Sequence, residues 1–278
     1  MSKTTMYLLI LLSISLQQSY SQSINVMTYN IKYDNKSDTI NNWNDRKETM
    51  VELIKYYEPS FLGIQEGLDN QVSFLNNSLA TYNYVGVGRD DGVKKGEYSA
   101  IFYKTALFKV LKSKTIWLSK TPDEVSVGWD ASMERICTYA LFQHKETKKK
   151  YWVFNTHFDH IGVLARKNSA KLIIKTIKEV NSQNLPVVLM GDLNLTPSQD
   201  AITTINNSLQ DSYTASQKPP YGPKGTFNGF TNKIMKNRID YIFVQGFTVK
   251  SVLQIDDKMN NNKHISDHIP VLATLTSK

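Results

Sequence analysis

The sequence predicts an α/β protein in which helices cover a core of two packed β-sheets of mixed direction. Three observations carry that expectation. Short apolar runs of strand length recur along the chain, helical patterns follow several of them, and the last strand-like runs succeed one another without a long helix between. The 278 residues are 41% hydrophobic and 21% charged, enough apolar material to bury a sizeable core. No internal repeat, low-complexity tract or Pro/Gly-rich linker divides the chain.

Each element follows from its pattern. "INVMTYNI" (24–31) reads as a strand. Residues 46–57 carry Met50, Leu53, Ile54 and Tyr57 at helical spacing, and "SFLGIQE" (60–66) is a short buried strand. Val72, Leu75 and Leu79 share one face of a helix over 70–79. Strand-like runs then occupy 82–87, 98–103, 106–117, 136–143 and 150–156. The longest helix is predicted over 163–180, with Leu164, Leu172, Ile173, Ile177 and Val180 as its apolar stripe. Strands resume at 186–191, 239–244, 247–255 and 269–275. Thr196-Pro197 ends the first of these, and Ser198 is placed to cap a short helix after it.

Residues 1–21 read as a secretory signal cleaved near Ser21. Lys3 precedes the apolar run "MYLLILLSISL", and "SYS" offers small residues to a signal peptidase. The remaining residues, 22–278, are expected to form one secreted or periplasmic domain without stable membrane insertion, acting as a monomer. Cys137, the only cysteine, lies in the alternating run "RICTYALF" and reads as a small buried filler. The net charge of +8 favours a phosphate-bearing partner, although "KETKKK" (145–150) reads as a solvated hairpin turn.

Several strand ends carry residues that a plain strand end does not need. "MTYNI" holds Asn30, "GIQEG" ends in Glu66, and "VFNTHFDH" ends in His157 with Asp159 and His160 beyond. "VVLMGDLN" ends in Asp192 and Asn194, "NRIDYIF" places Asp240 at a strand start, and "ISDHIP" supplies Asp267 and His268. Singly, each is more often a turn former, a cap or a structural histidine. Together they put acids, amides and imidazoles where open sheets gather ligands. No Ser or Cys stands in a nucleophile setting, and no Cys/His spacing suits zinc. Carboxylate and amide oxygens suit a hard cation such as Mg²⁺ or Mn²⁺. A hard cation, a base and neutral donors are the parts for attack of water on a phosphoester.

In this order the motifs "MTYNI", "GIQE", "NTHFDH", "GDLN", "RIDYIF" and "SDHIP" resemble the endonuclease/exonuclease/phosphatase superfamily across residues 24–276. The resemblance implies a four-layer α/β/β/α sandwich, two packed mixed sheets flanked by helices, with a metal site at the sheet edges. It implies metal ligation by Glu66, with Asn30 beside it and Asp267 nearby. Asp192 resembles the residue that orients or deprotonates the water, and Asn194 a phosphate-oxygen donor. His268 resembles the phosphate-contacting base, with Asp240 as its orienting carboxylate; whether Asp192 or His268 is the base stays open. His157 resembles the other active-site histidine, and Glu97 in "GEYSAIFYK" stands where some members place its carboxylate partner.

Loops at 85–99, 126–135 and 219–230 are rich in Gly, Arg and aromatics. Arg89 and Arg135 are candidates to clamp a second phosphate, and Trp43, Trp129, Tyr221 and Phe227 to stack on a base or sugar. The expected activity is a secreted, Mg²⁺- or Mn²⁺-dependent phosphodiesterase, a nuclease acting on extracellular nucleic acid. The alternatives are a phosphatase or phosphodiesterase on an inositol phosphate, a phospholipid headgroup or a phosphorylated glycan, and a catalytically silent binding module. No exposed apolar hairpin favours lipid, and every expected catalytic position is filled.

Overall fold

The computed structural model describes residues 23–278, so the expected signal segment lies outside the described residues. The first half of the chain contains β1 (Ser23–Asn30), α1 (Trp43–Tyr57), β2 (Phe61–Gln65), α2 (Asp69–Ser78), β3 (Tyr82–Val85), β4 (Ile101–Lys104) and β5 (Phe108–Trp117). β6 (Ile136–His144), β7 (Lys150–His157), α3 (Val163–Val180), β8 (Val187–Asp192) and α4 (Asp200–Asn206) follow. The chain closes with β9 (Gln210–Asp211), α5 (Ser212–Ala215), β10 (Asp240–Gln245), β11 (Phe247–Gln254) and β12 (Val271–Ser277).

The strands form two six-stranded sheets, ordered β11-β12-β1-β2-β4-β3 and β5-β6-β7-β8-β10-β9. Each sheet has one parallel pair, β1 with β2 and β7 with β8, bridged by α1 and α3 respectively. All other pairs are antiparallel, so both sheets are mixed. Phe61, Ile101, Phe142, Val153, Val188 and Ile242 pack between the inner faces. Met50, Ile54 and Val72 pack the first two helices on one outer face, and Ile173, Ile177 and Ile202 pack α3 and α4 on the other. This is the four-layer α/β/β/α sandwich. Among the described residues no helix is long and apolar enough to cross a membrane.

One buried polar clasp ties the sheets together. Asn155 on β7 donates through Nδ2 to the carbonyls of Ile64 and Ala100 in the other sheet, both at 2.8 Å. Its Oδ1 accepts from Gln65 Nε2 at 2.7 Å. Asn155→Leu keeps the volume but takes the side-chain donor from Ile64 O and an acceptor from Gln65 Nε2, while Ala100 O keeps Ile64 N at 3.0 Å; it is expected to cost about 2 kcal/mol of stability at roughly 1 kcal/mol per lost bond. Urea denaturation measures it, and a change under 1 kcal/mol would show that the clasp is dispensable.

Where boundaries differ from the sequence pattern, local hydrogen bonds explain it. α1 begins at Trp43 because Asn42 caps it, its side chain accepting from Asp45 N. Leu107 N donates to Lys104 O, turning the chain, so β5 starts at Phe108. Ser198 does not cap α4: Gln199 is the N-cap residue, and its Oε1 accepts from Thr196 N at 2.7 Å instead. β9 and α5 carry no periodicity long enough to be read. Cys137 is fully buried in the core, as a filler is.

Candidate active site

The topology explains why the polar strand ends meet. Both parallel pairs point their carboxyl ends to one edge, delivering Asn30, Glu66, His157 and Asp192. β10 runs antiparallel to β8, so its first residue, Asp240, pairs with Asp192. The segment leading into β12 brings Asp267 and His268 to the same edge. There Ser266 Oγ donates to Asn30 O at 2.7 Å, latching that segment to β1. Glu66, Glu97, Arg135, His157, His160, Asp192, Asn194, Phe227, Asp267 and His268 line one cleft of about 630 Å³.

On one side, Asn30 is an orienting amide. Its Nδ2 donates to Glu66 Oε1 at 2.9 Å and to Asp192 Oδ2 at 3.0 Å, while its Oδ1 accepts from Lys32 N. The amide nitrogen, not the oxygen, therefore faces the carboxylates. Glu66 Oε2 accepts from Tyr33 N at 3.2 Å. The Lys32 ammonium stands 3.5 Å from Glu66 and 3.4 Å from Asp267, shared by the two. Burial works against the Glu66 charge, but Lys32, the Asn30 N–H and His268 outweigh it and hold the carboxyl below its usual range.

In the middle, His268 Nδ1 lies 2.9 Å from Asp240 Oδ2, and its Nε2 lies 3.6 Å from Asp192 Oδ2. Burial would lower the His268 pKa, yet Asp240 and Asp192 raise it to about 10. Burial pushes Asp192 upward, with Asp240 adding to it and His268 opposing. Thr226 Oγ1 accepts from both Ile239 N and Asp240 N, and Phe227 packs on the His268 ring at 5.1 Å. The 219–230 loop is thus scaffold for Asp240 and His268.

On the far side, Asn194 donates its amide to His157 Nε2 at 3.1 Å and to Phe158 O at 3.0 Å. An amide N–H can only donate, so His157 Nε2 accepts and its proton sits on Nδ1. Burial, then the nearby Arg135, His268 and Arg89, hold the His157 pKa well below its usual value. Glu97 Oε2 is 3.9 Å from His157 Nδ1, beyond hydrogen-bond reach, and is taken by Arg89 at 2.6 Å.

The structure corrects the reading of the loops. Arg89 holds Glu97 and does not line the main cleft. Arg135 does line it but is 4% exposed, its Nε on Asp159 at 3.3 Å and its Nη2 on His160 Nδ1 at 3.0 Å. Arg89 is thus committed to Glu97, whereas Arg135 keeps its place on the cleft wall with Nε and Nη2 taken by protein partners. Trp43 is buried against Phe74 and Arg46. Trp129 and Tyr221 stand outside the cleft, and only Phe227 of the four aromatics lines it.

Lys32, Asp159 and His160 belong to the site or its wall without having been marked as site residues; Asp159 and His160 were visible only as the tail of "NTHFDH". Lys32 sits beside Asn30 with no local mark. It shares an unusual backbone with two site residues: Lys32, Glu66 and Asn194 all have positive φ (56°, 63° and 50°). Left-handed backbone in non-glycine residues clusters at functional sites because the surroundings impose it. Gly191, at φ 151°, needs its missing Cβ, which would meet Thr156 O at 2.0 Å.

Asp159 is the hub of the far wall. Oδ1 accepts from Ile161 N and Gly162 N, and Oδ2 from Ser132 N, Ser132 Oγ and Arg135 Nε. Burial raises its pKa, but these donors win and hold it far below the usual carboxylate value. A depressed folded-state pKa contributes stability above about pH 4 that is lost as pH falls below it. Asp159→Asn points an amide at donors and is expected to cost about 2 kcal/mol at pH 7. It also flattens the acid limb of the stability curve. Thermal melting from pH 3 to 7 tests this, and parallel curves for variant and wild type would refute it.

The donors present fit a hard divalent cation. Glu66 and Asp267 already converge on one positive charge, the Lys32 ammonium, and both offer oxygen. Asp192, Asp240 and His268 also place ligand atoms within 4.8 Å of one another. That trio could hold a cation only with His268 deprotonated, whereas the bond to Asp240 favours the protonated ring.

Fold and site together define a hydrolase of phosphoesters. Residues 27–268 match the Endonuclease/Exonuclease/phosphatase family, and the chain belongs to it. A solved family protein from Bacteroides vulgatus is 40% identical, with 92% of this chain and 100% of that chain covered at a TM-score of 0.88. A mannosyl-6-phosphatase from Bacteroides thetaiotaomicron is 37% identical, with 91% and 99% covered and a TM-score of 0.88. The D. rerio TDP2 complexed with single-strand DNA product shares the fold alone, at 18% identity, 92% and 99% coverage and a TM-score of 0.73.

Proposed function

We propose that this chain is an exported, divalent-metal-dependent phosphatase that removes phosphate from a small phosphorylated sugar. The observation that carries the reading is the cleft. Its volume of about 630 Å³ falls within the roughly 300–1,000 Å³ of small-molecule sites, and the phosphoester-cleaving groups lie along its wall. The 37% identity to a mannosyl-6-phosphatase, over nearly both whole chains, supports a sugar phosphate. The apolar N-terminal run supports export, which N-terminal sequencing of the mature protein checks.

Glu66 and Asp267 would hold Mg²⁺ or Mn²⁺, with Asn30 orienting Glu66. When bound, the cation neutralises charge on the phosphate and on the leaving oxygen. His268, its Nδ1 proton on Asp240, turns Nε2–H toward the phosphate as a donor. Asp192 is therefore the group left to align the water and accept its proton; burial has raised its pKa to about 7, suited to a base near neutrality. The Asn194 amide shares its second N–H between His157 and a phosphate oxygen.

A phosphate-release screen tests the reading: purified 22–278 protein, Mg²⁺ or Mn²⁺ against EDTA, on hexose 6-phosphates, p-nitrophenyl phosphate, bis(p-nitrophenyl) phosphate, DNA and RNA. Metal-dependent turnover of sugar monoesters above all diesters is expected. The net charge of +8 favours a second reading, a nuclease, which turnover of nucleic acid in preference to every monoester would establish in place of the first.

A further inference from the structure

His160 takes no part in the phosphate chemistry described above, yet it lines the same cleft and is the exposed member of an otherwise buried network. Arg135 Nη2 reaches its Nδ1 at 3.0 Å. A guanidinium has donors only, so Nδ1 must accept and the ring proton must sit on Nε2. Among the described residues Nε2 has no hydrogen-bond partner. The tautomer is therefore set from behind, and a single N–H remains for something outside the protein.

The support behind the ring is rigid. Arg135 is anchored by Asp159, whose carboxylate takes five donors from Ser132, Arg135, Ile161 and Gly162. Arg166 Nη1 ties the Asp159 carbonyl to α3 at 3.2 Å. A solvated surface histidine needs no such backing. Supported groups of this kind are what a binding site uses to hold a donor in place before the ligand arrives. Arg135 gives its Nε to Asp159 and its Nη2 to His160. The free N–H of the neutral ring is a donor without a charge of its own, which suits an uncharged polar group.

We propose that His160 is the specificity-determining residue for the leaving group: its Nε2–H donates to a hydroxyl of the sugar whose phosphate is cleaved, with Arg135 as the positioning residue behind it. The proposal rests on the sugar-phosphatase reading and adds the contact that would distinguish a sugar from any other leaving group.

The test compares kcat/KM on a hexose 6-phosphate with kcat/KM on p-nitrophenyl phosphate, whose leaving group has no hydroxyl for His160 to bind. His160→Ala is expected to lower the ratio about tenfold, the value of one hydrogen bond to substrate. His160→Gln, which keeps a donor near the Nε2 position, recovers part of it. Arg135→Lys, checked for folding by circular dichroism, lowers the ratio in the same direction. An unchanged ratio in His160→Ala overturns the proposal while leaving the phosphatase reading intact. A wild-type enzyme that cleaves p-nitrophenyl phosphate but no sugar phosphate overturns both.

Discussion

Glu66→Gln is expected to lower metal-dependent turnover about a thousandfold and to weaken divalent-cation binding at least tenfold, with the metal-free protein still folded and its melting temperature lowered by only a few degrees. Glutamine keeps the side-chain volume and an acceptor for the Asn30 N–H, so the packing survives, while its amide NH2 faces the Tyr33 N–H that Oε2 accepted from. It removes the negative charge that, with Asp267, holds the Lys32 ammonium. The backbone at Glu66, φ 63°, is equally strained for either residue, which separates chemistry from folding. Calorimetric Mg²⁺ and Mn²⁺ titrations beside phosphate-release rates read the effect. Wild-type affinity in the variant would move the metal elsewhere, with the Asp192, Asp240 and His268 cluster the next place to look.

The largest loss of stability is expected at a residue that touches no substrate. Arg46 is 1% exposed and, among the described residues, forms no ion pair with a carboxylate. Instead its guanidinium donates to four carbonyls: Ile265 at 2.7 Å, Asn41 at 2.8 Å, Ile31 at 3.0 Å and Lys32 at 3.2 Å. The Trp43 and Phe230 rings flank it at 5.7 and 5.5 Å. It therefore pins the end of β1 to the segment that carries Asp267 and His268. Arg46→Ala leaves those carbonyls without a donor at roughly 1 kcal/mol or more each, about 4 kcal/mol in all. For a chain of this size that is a fall in Tm of roughly 8–16 °C. Arg46→Lys keeps the charge but not the planar fork and is expected to recover less than half. Calorimetry on both variants decides it; a fall below 3 °C in Arg46→Ala would mean that water replaces the guanidinium without loss.

Much of the site was legible because its parts sit in local strand-end motifs. Glu66, Asp192 and His268 are marked by polar residues closing apolar runs, and a strand's period of two places Asp192 and Asn194 together. Loop residues were not legible in the same way. Arg89 and Arg135 carry identical charge in similar Gly-rich surroundings, and nothing local says that both are already paired. Trp43 looks like a loop aromatic until α1 is seen to begin at it and bury it.

The sequence by itself determined most of the strand and helix succession, the two-sheet class and the family, and it marked the polar strand ends that line the cleft. Hydrophobic periodicity and motif order are one-dimensional signals, and those features are written in one dimension. Only the tertiary structure decided which charges are spent on other charges. The sharing of Lys32 between Glu66 and Asp267 brings together positions about 200 residues apart in the chain. The Asn155 clasp, the Arg46 anchor and the Arg135–Asp159 support of His160 likewise depend on how buried groups find partners across the fold. A buried polar group must be satisfied by whatever the packing brings near it. No spacing along the chain states that partner in advance.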